Sequence, residues 1–66
     1  MIRNVRQAID EARQKARTDS RALRLPIEKE FLKRFNLKPE SELTLTQYNK
    51  VKLDWLRAAG VENPSL

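Results

Sequence analysis

The chain has 66 residues, with 14 Lys plus Arg, nine Asp plus Glu, and neither His nor Cys, for a formal charge of +5. A chain of this length forms one domain at most and buries only about 60% of the surface that its unfolded form exposes. With no Cys or His to supply disulfides or the usual zinc ligands, oligomerisation or a partner surface is the remaining reinforcement.

Residues 2–17 predict a helix. Ile2, Val5, Ile9, Ala12 and Ala16 recur at the three-four spacing of a single apolar stripe, with Ala8 on its edge. Arg6, Asp10, Arg13 and Arg17 line one flank at three- and four-residue steps, which puts Asp10 within reach of either neighbouring Arg. The stripe is narrow and half alanine, so it lets another helix approach closely but buries little area by itself. This helix calls for a partner surface. The same stretch lacks the hydrophobic segment of a secretory signal, and Asp10 and Glu11 count against an organelle transit peptide. No apolar run approaches the roughly 18–20 residues needed to cross a bilayer. A cytoplasmic location without a membrane partner is therefore expected.

Thr18, Asp19 and Ser20 form a polar break, after which Ser20-Arg21-Ala22-Leu23-Arg24-Leu25 runs into Pro26. A residue before proline is pushed towards extended geometry. In an extended segment Leu23 and Leu25 share one face with Arg21, while Ser20, Ala22 and Arg24 take the other. Residues 20–25 are thus either a short strand or a linker.

Pro26 suits the first turn of a helix, and Glu28 and Glu30 follow where carboxylates favour the macrodipole. Ile27, Phe31 and Phe35, spaced four apart with Leu32 beside them, predict a wide apolar face on a helix over 27–36. Asn36 is placed to cap its C-terminus, and Pro39 acts as a stop. The next start signal is stronger. Thr44-Leu45-Thr46-Gln47 fits a capping box, with Leu43 and Tyr48 at the positions of a hydrophobic staple. From there Leu45, Tyr48, Val51, Trp55, Leu56 and Ala59 share a face, opposite Gln47, Lys50, Asp54 and Arg57, while Leu53 lies off the apolar side. Gly60, the only glycine, stands where a left-handed residue ends a helix, and Val61 can complete a Schellman motif. These elements divide the chain into a basic amphipathic helix or arm (1–19), a strand-helix-helix core (20–61) and a C-terminal tail (62–66).

The residue types disfavour catalysis. Without His and Cys the common acid–base and thiolate machinery is missing, and one glycine cannot build a phosphate-binding loop. The carboxylates sit at ion-pair spacing from Lys and Arg, and the close pairs Asp10–Glu11 and Glu40–Glu42 lack the wider cluster that binds a metal. We therefore expect no enzyme, no cofactor and no metal. The charge is uneven: residues 1–24 carry +4, residues 25–45 carry 0 and residues 46–66 carry +1. Six of the seven cations in the first stretch are Arg, the better residue for bidentate contact with phosphate or guanine. The aromatics Phe31, Phe35, Tyr48 and Trp55 occupy core positions of their helices, which argues against base stacking on single strands.

The order of a strand at Leu23-Arg24-Leu25-Pro26, a helix, a loop and a helix ending at Gly60 resembles the ribbon-helix-helix family of DNA-binding proteins (the Arc, MetJ and CopG class). The resemblance implies a homodimer whose paired strands enter the major groove of duplex DNA. It also implies that Leu23 and Leu25 face the dimer core while Ser20, Ala22 and Arg24 face the groove. The start of the last helix, at Thr44 and Thr46, would then offer N–H groups and hydroxyls to a phosphate. The stretch Phe35-Asn36-Leu37-Lys38-Pro39-Glu40-Ser41-Glu42-Leu43 also resembles part of the AbrB-like swapped-hairpin antitoxins, which bind DNA as intertwined dimers too.

The expected fold class is mainly α, with three short helices and one short strand (residues 20–25) pairing across a dimer. The alternative is a three-helix bundle in which that segment is a linker and the Arg side chains are solvated. The expected function is that of a small basic DNA-binding protein, a dimeric transcriptional regulator or antitoxin-like factor. Its DNA contacts would be Arg24, Arg21, Ser20, Arg17, Arg13, Arg6, Arg3, Thr44 and Thr46. The alternative is a helical protein-interaction module, such as a small subunit or phage-type effector, that binds a larger protein partner.

Overall fold

A computed structural model of the chain describes residues 3–18 and 25–65. The order is β1 (Arg3–Asn4), α1 (Val5–Ala16), α2 (Glu28–Phe35), β2 (Glu42–Leu43) and α3 (Leu45–Ala58). The described residues are mainly α, with three short helices, in line with the sequence. The two-stranded ribbon stands elsewhere than expected: β1 pairs antiparallel with β2, Arg3 opposite Leu43 and Asn4 opposite Glu42. Of the candidate strand 20–25, residues 20–24 lie outside the described residues, and Leu25 is in no strand.

The helix α1 starts later than its apolar stripe suggests, because Asn4 is its N-cap. The Asn4 side chain accepts from the Gln7 N–H at 2.9 Å, and the Gln7 side chain accepts from the Asn4 N–H at 3.1 Å. The next two orphan N–H groups find partners in the loop before β2: Val5 donates to the Ser41 carbonyl and Arg6 to that of Pro39. Val5, Ala8, Ile9, Ala12 and Ala16 are all buried, and α1 lies along α3. The partner surface that α1 needs is thus supplied by the same chain. Ile2, at the head of the stripe, lies outside the described residues.

The helix α2 spans only eight residues, about 12 Å. Asn36 ends it at φ 54 and ψ 47, with Leu37 N–H donating to Leu32 and Asn36 N–H to Lys33. That is the Schellman pattern with Asn as the left-handed residue. The wide apolar face read from its spacing is only partly buried: Phe31 is inside, while Ile27 and Phe35 remain 64% and 37% exposed. Two turns of helix are too short for all three residues to reach the core.

The expected capping box of α3 is present, with Thr44 accepting from Gln47 N–H and the Gln47 side chain accepting from Thr44 N–H. Its end follows the sequence as well, with Gly60 at φ 88 and Val61 N–H donating to Leu56. Tyr48, Val51, Trp55, Leu56 and Ala59 form the α3 side of the core, and Leu53 stays half-buried off that face. Leu45 corrects the reading. It is 70% exposed, because it opens the helix beyond the end of the packed face. Phe31 closes the core from α2, edge-on to Trp55 with ring centroids 4.8 Å apart.

Candidate functional site

Two clusters of charge flank the α1–α3 contact, and each is built around one half-buried carboxylate. On one side Glu11 of α1 receives Arg3 Nη1 and Lys52 Nζ, both at 2.8 Å. Arg3 also donates to the Tyr48 hydroxyl at 3.2 Å, and its guanidinium lies 5.1 Å from the Tyr48 ring centroid. The hydrogen bond from Lys52, with the Tyr48 hydroxyl and Arg3 beside it, holds the Glu11 carboxyl below its usual range. Burial, followed by the neighbouring carboxylate, pushes the Tyr48 phenol up. The hydrogen bond to Tyr48 and the attraction of Glu11 raise the Arg3 guanidinium above its usual value.

On the other side Arg6 and Arg13 of α1 approach Glu28 of α2 at 3.9 and 4.0 Å. Glu28 is a partner that the helical spacing of Asp10 did not reveal. The Arg13 guanidinium also sits 5.7 Å from the Trp55 ring centroid. Both carboxylates are therefore shared by two cations, which leaves each cluster with an excess of positive charge.

The expected contact residues fall into three groups. Arg6, Arg13 and Arg17 lie together on one flank of α1, spread over about 16 Å of helix. Arg3 is separated from them, near the start of α3, where it borders the same hollow as Leu43, Leu45 and Tyr48. Thr44 and Thr46 stand at that same helix start, with the Thr44 hydroxyl engaged in the cap. Ser20, Arg21 and Arg24 lie outside the described residues. Among the described residues no group of three acidic, His or Cys side chains could hold a metal, and no helix is long and apolar enough to cross a membrane.

Sequence reasoning missed the shallow apolar strip beside α3. Phe35, Leu37 and Leu43 line one concavity of about 230 Å³, and Leu43 and Leu45 line the next, of about 280 Å³. Part of the signal was present: Leu37 is an apolar residue between α2 and α3 that no amphipathic period requires. No family model matches the chain, nor does any curated protein or solved structure.

Proposed function

We propose that the chain is a non-enzymatic binding protein that engages duplex DNA through the arginine flank of α1. The observation that carries this reading is the row Arg6, Arg13 and Arg17, against which Glu28 is the only carboxylate in ion-pair contact among the described residues. Three cations over about 16 Å face a duplex that presents one phosphate per roughly 1.7 Å of its axis. Arg6 and Arg17 are exposed, so both can reach phosphate without unfolding anything. The residue types support the non-enzymatic half of the proposal, since the chain has neither His nor Cys.

The test is binding of a duplex oligonucleotide followed by fluorescence anisotropy across a salt series. Affinity should fall steeply with salt, and Arg6→Gln and Arg17→Gln should each flatten the log–log slope by about 0.9. No binding at low salt overturns the proposal. The finer reading, a dimeric regulator or antitoxin-like factor, rests on the ribbon-helix-helix resemblance. Light scattering checks it, because a stable monomer has no shared ribbon.

A further inference from the structure

The most unusual surface of the molecule is not its charge but the apolar strip beside α3, and it goes beyond the DNA reading. A 66-residue chain has few large apolar side chains to spare, yet Phe35 and Leu45 are left 37% and 70% exposed. They lie at opposite ends of one feature. The concavity holding Phe35 and Leu37 and the one holding Leu45 meet at Leu43, which lines both. Two adjoining hollows of about 230 and 280 Å³ suit two apolar anchors from one ligand.

The rim has a sign. Lys50 lines the first hollow and Arg3 the second, and the Arg34 guanidinium lies 5.8 Å from the Phe35 ring centroid. Asp54 is the one carboxylate lining either. At the Leu45 end the start of α3 adds partial positive charge. The N–H groups of Gln47 and Tyr48 are held by Thr44, whereas those of Leu45 and Thr46 have no acceptor among the described residues. The start of α1 differs, its first N–H groups being satisfied by Ser41, Pro39 and Asn4.

We propose that this strip is the docking site for an acidic segment of a partner protein, which sets two apolar side chains into the hollows and carboxylates against the Lys50 and Leu45 ends. Charge complementarity separates this occupant from the others. A second copy of the chain brings a further +5 towards a cationic rim. Duplex DNA offers charge to Lys50 but no side chain to fill an apolar hollow lined by Phe35 and Leu43.

The experiment is a selection of random dodecapeptides displayed on phage against the full chain at physiological salt. Enriched peptides should share two large apolar residues at a fixed spacing, flanked by Asp or Glu. A synthetic peptide of the enriched sequence should then lose at least about tenfold in affinity against Leu45→Ser and against Lys50→Glu. Both substitutions are at exposed positions, and an unchanged circular dichroism melt shows that each variant still folds. An enrichment without acidic residues, or none at all, overturns the proposal, as does an affinity that neither variant moves. Displacement of the peptide by a duplex oligonucleotide reassigns the strip to nucleic acid. Concentration-dependent self-association that Leu45→Ser abolishes reassigns it to a second copy.

Discussion

Where α3 meets α1, every apolar side chain of α1 is sealed: Val5, Ala8, Ile9 and Ala12 have no exposed surface, and Ala16 almost none. On the side of α3 towards α2 and β2, Phe35 and α3's own first residue Leu45 keep 37% and 70% of their surface in water. The difference follows from side-chain size and helix length. Three alanines let α1 lie close along α3, so a narrow stripe suffices to exclude water. The other side has larger side chains on an eight-residue helix, which covers Trp55 with Phe31 and then ends at Asn36. Close packing of small residues completed one surface, while the short α2 leaves Phe35 part-exposed and Leu45 opens α3 beyond the end of its packed face on the other. The apolar stripe of α1 is thus completed within the chain.

The strongest way to break this comparison is to truncate one large apolar residue on each side. Ile9→Ala should cost about 2–5 kcal/mol in urea denaturation, enough to unfold much of so small a domain. Leu45→Ser should stay within about 0.5 kcal/mol, as surface substitutions do. Equal losses would mean that Leu45 is part of the core and that the strip is no docking surface. Overpacking sharpens the point. Ala12→Leu should cost about 1–3 kcal/mol, because Ala12 is wholly buried and a larger side chain there overpacks the core.

Trp55 supplies a finer test of how the sealed side is closed. Its ring is wholly buried, and its Nε1–H has no acceptor among the described residues. An unsatisfied buried donor of this kind costs about 1–3 kcal/mol. Trp55→Phe should therefore lose far less stability than loss of ring volume suggests, within about 1–2 kcal/mol, because it removes the orphaned donor too. Trp55→Ala removes the same donor but leaves a cavity the size of the ring, and should lose about 3–5 kcal/mol.

The helices and their ends were largely legible in the sequence. Thr44 and Gln47, Asn36, and Gly60 with Val61 act locally, through bonds to residues three to five positions away, so their spacing alone specifies them. Asn4 and Gln7 have the same spacing as Thr44 and Gln47 and could have been read as a second capping box. The β1–β2 pairing could not, since two-residue strands carry no alternation, and their register depends on residues about forty positions apart. The same holds for the arginine flank. Periodicity places Arg6, Arg13 and Arg17 on one side of α1, but only the tertiary packing of α2 brings Glu28 to Arg6 and Arg13. A helical wheel also assigns Leu45 to the apolar face without showing where its neighbours stop.

The two caps sharpen the comparison at its smaller scale. Thr44→Ala removes one side-chain acceptor from an exposed helix start and should cost about 1 kcal/mol. Asn4→Ala should cost more, up to about 2 kcal/mol, because α1 begins where Val5 and Arg6 are also tied to the loop before β2. Hydrogen exchange at the Val5 and Arg6 amides should accelerate in Asn4→Ala, and equal effects of the two substitutions would show that the loop contacts add nothing.

The smallest effect expected is on the pH dependence of stability. The folded state holds the Glu11 carboxyl below its unfolded value, with Lys52 as the main cause. The stabilisation is therefore complete above the unfolded value of about 4.3 and is lost as pH falls through the lower, folded value. The Glu11 side chain is 38% exposed, so solvent screening keeps the contribution below about 1 kcal/mol. Glu11→Gln should lower stability slightly at pH 7 and remove this component of the acid dependence, so that the two proteins converge in denaturant midpoint below about pH 3. Added salt should narrow the difference at pH 7 but leave that between Ile9→Ala and Leu45→Ser untouched, because screening acts on the charges and not on the buried area that separates the two sides of α3.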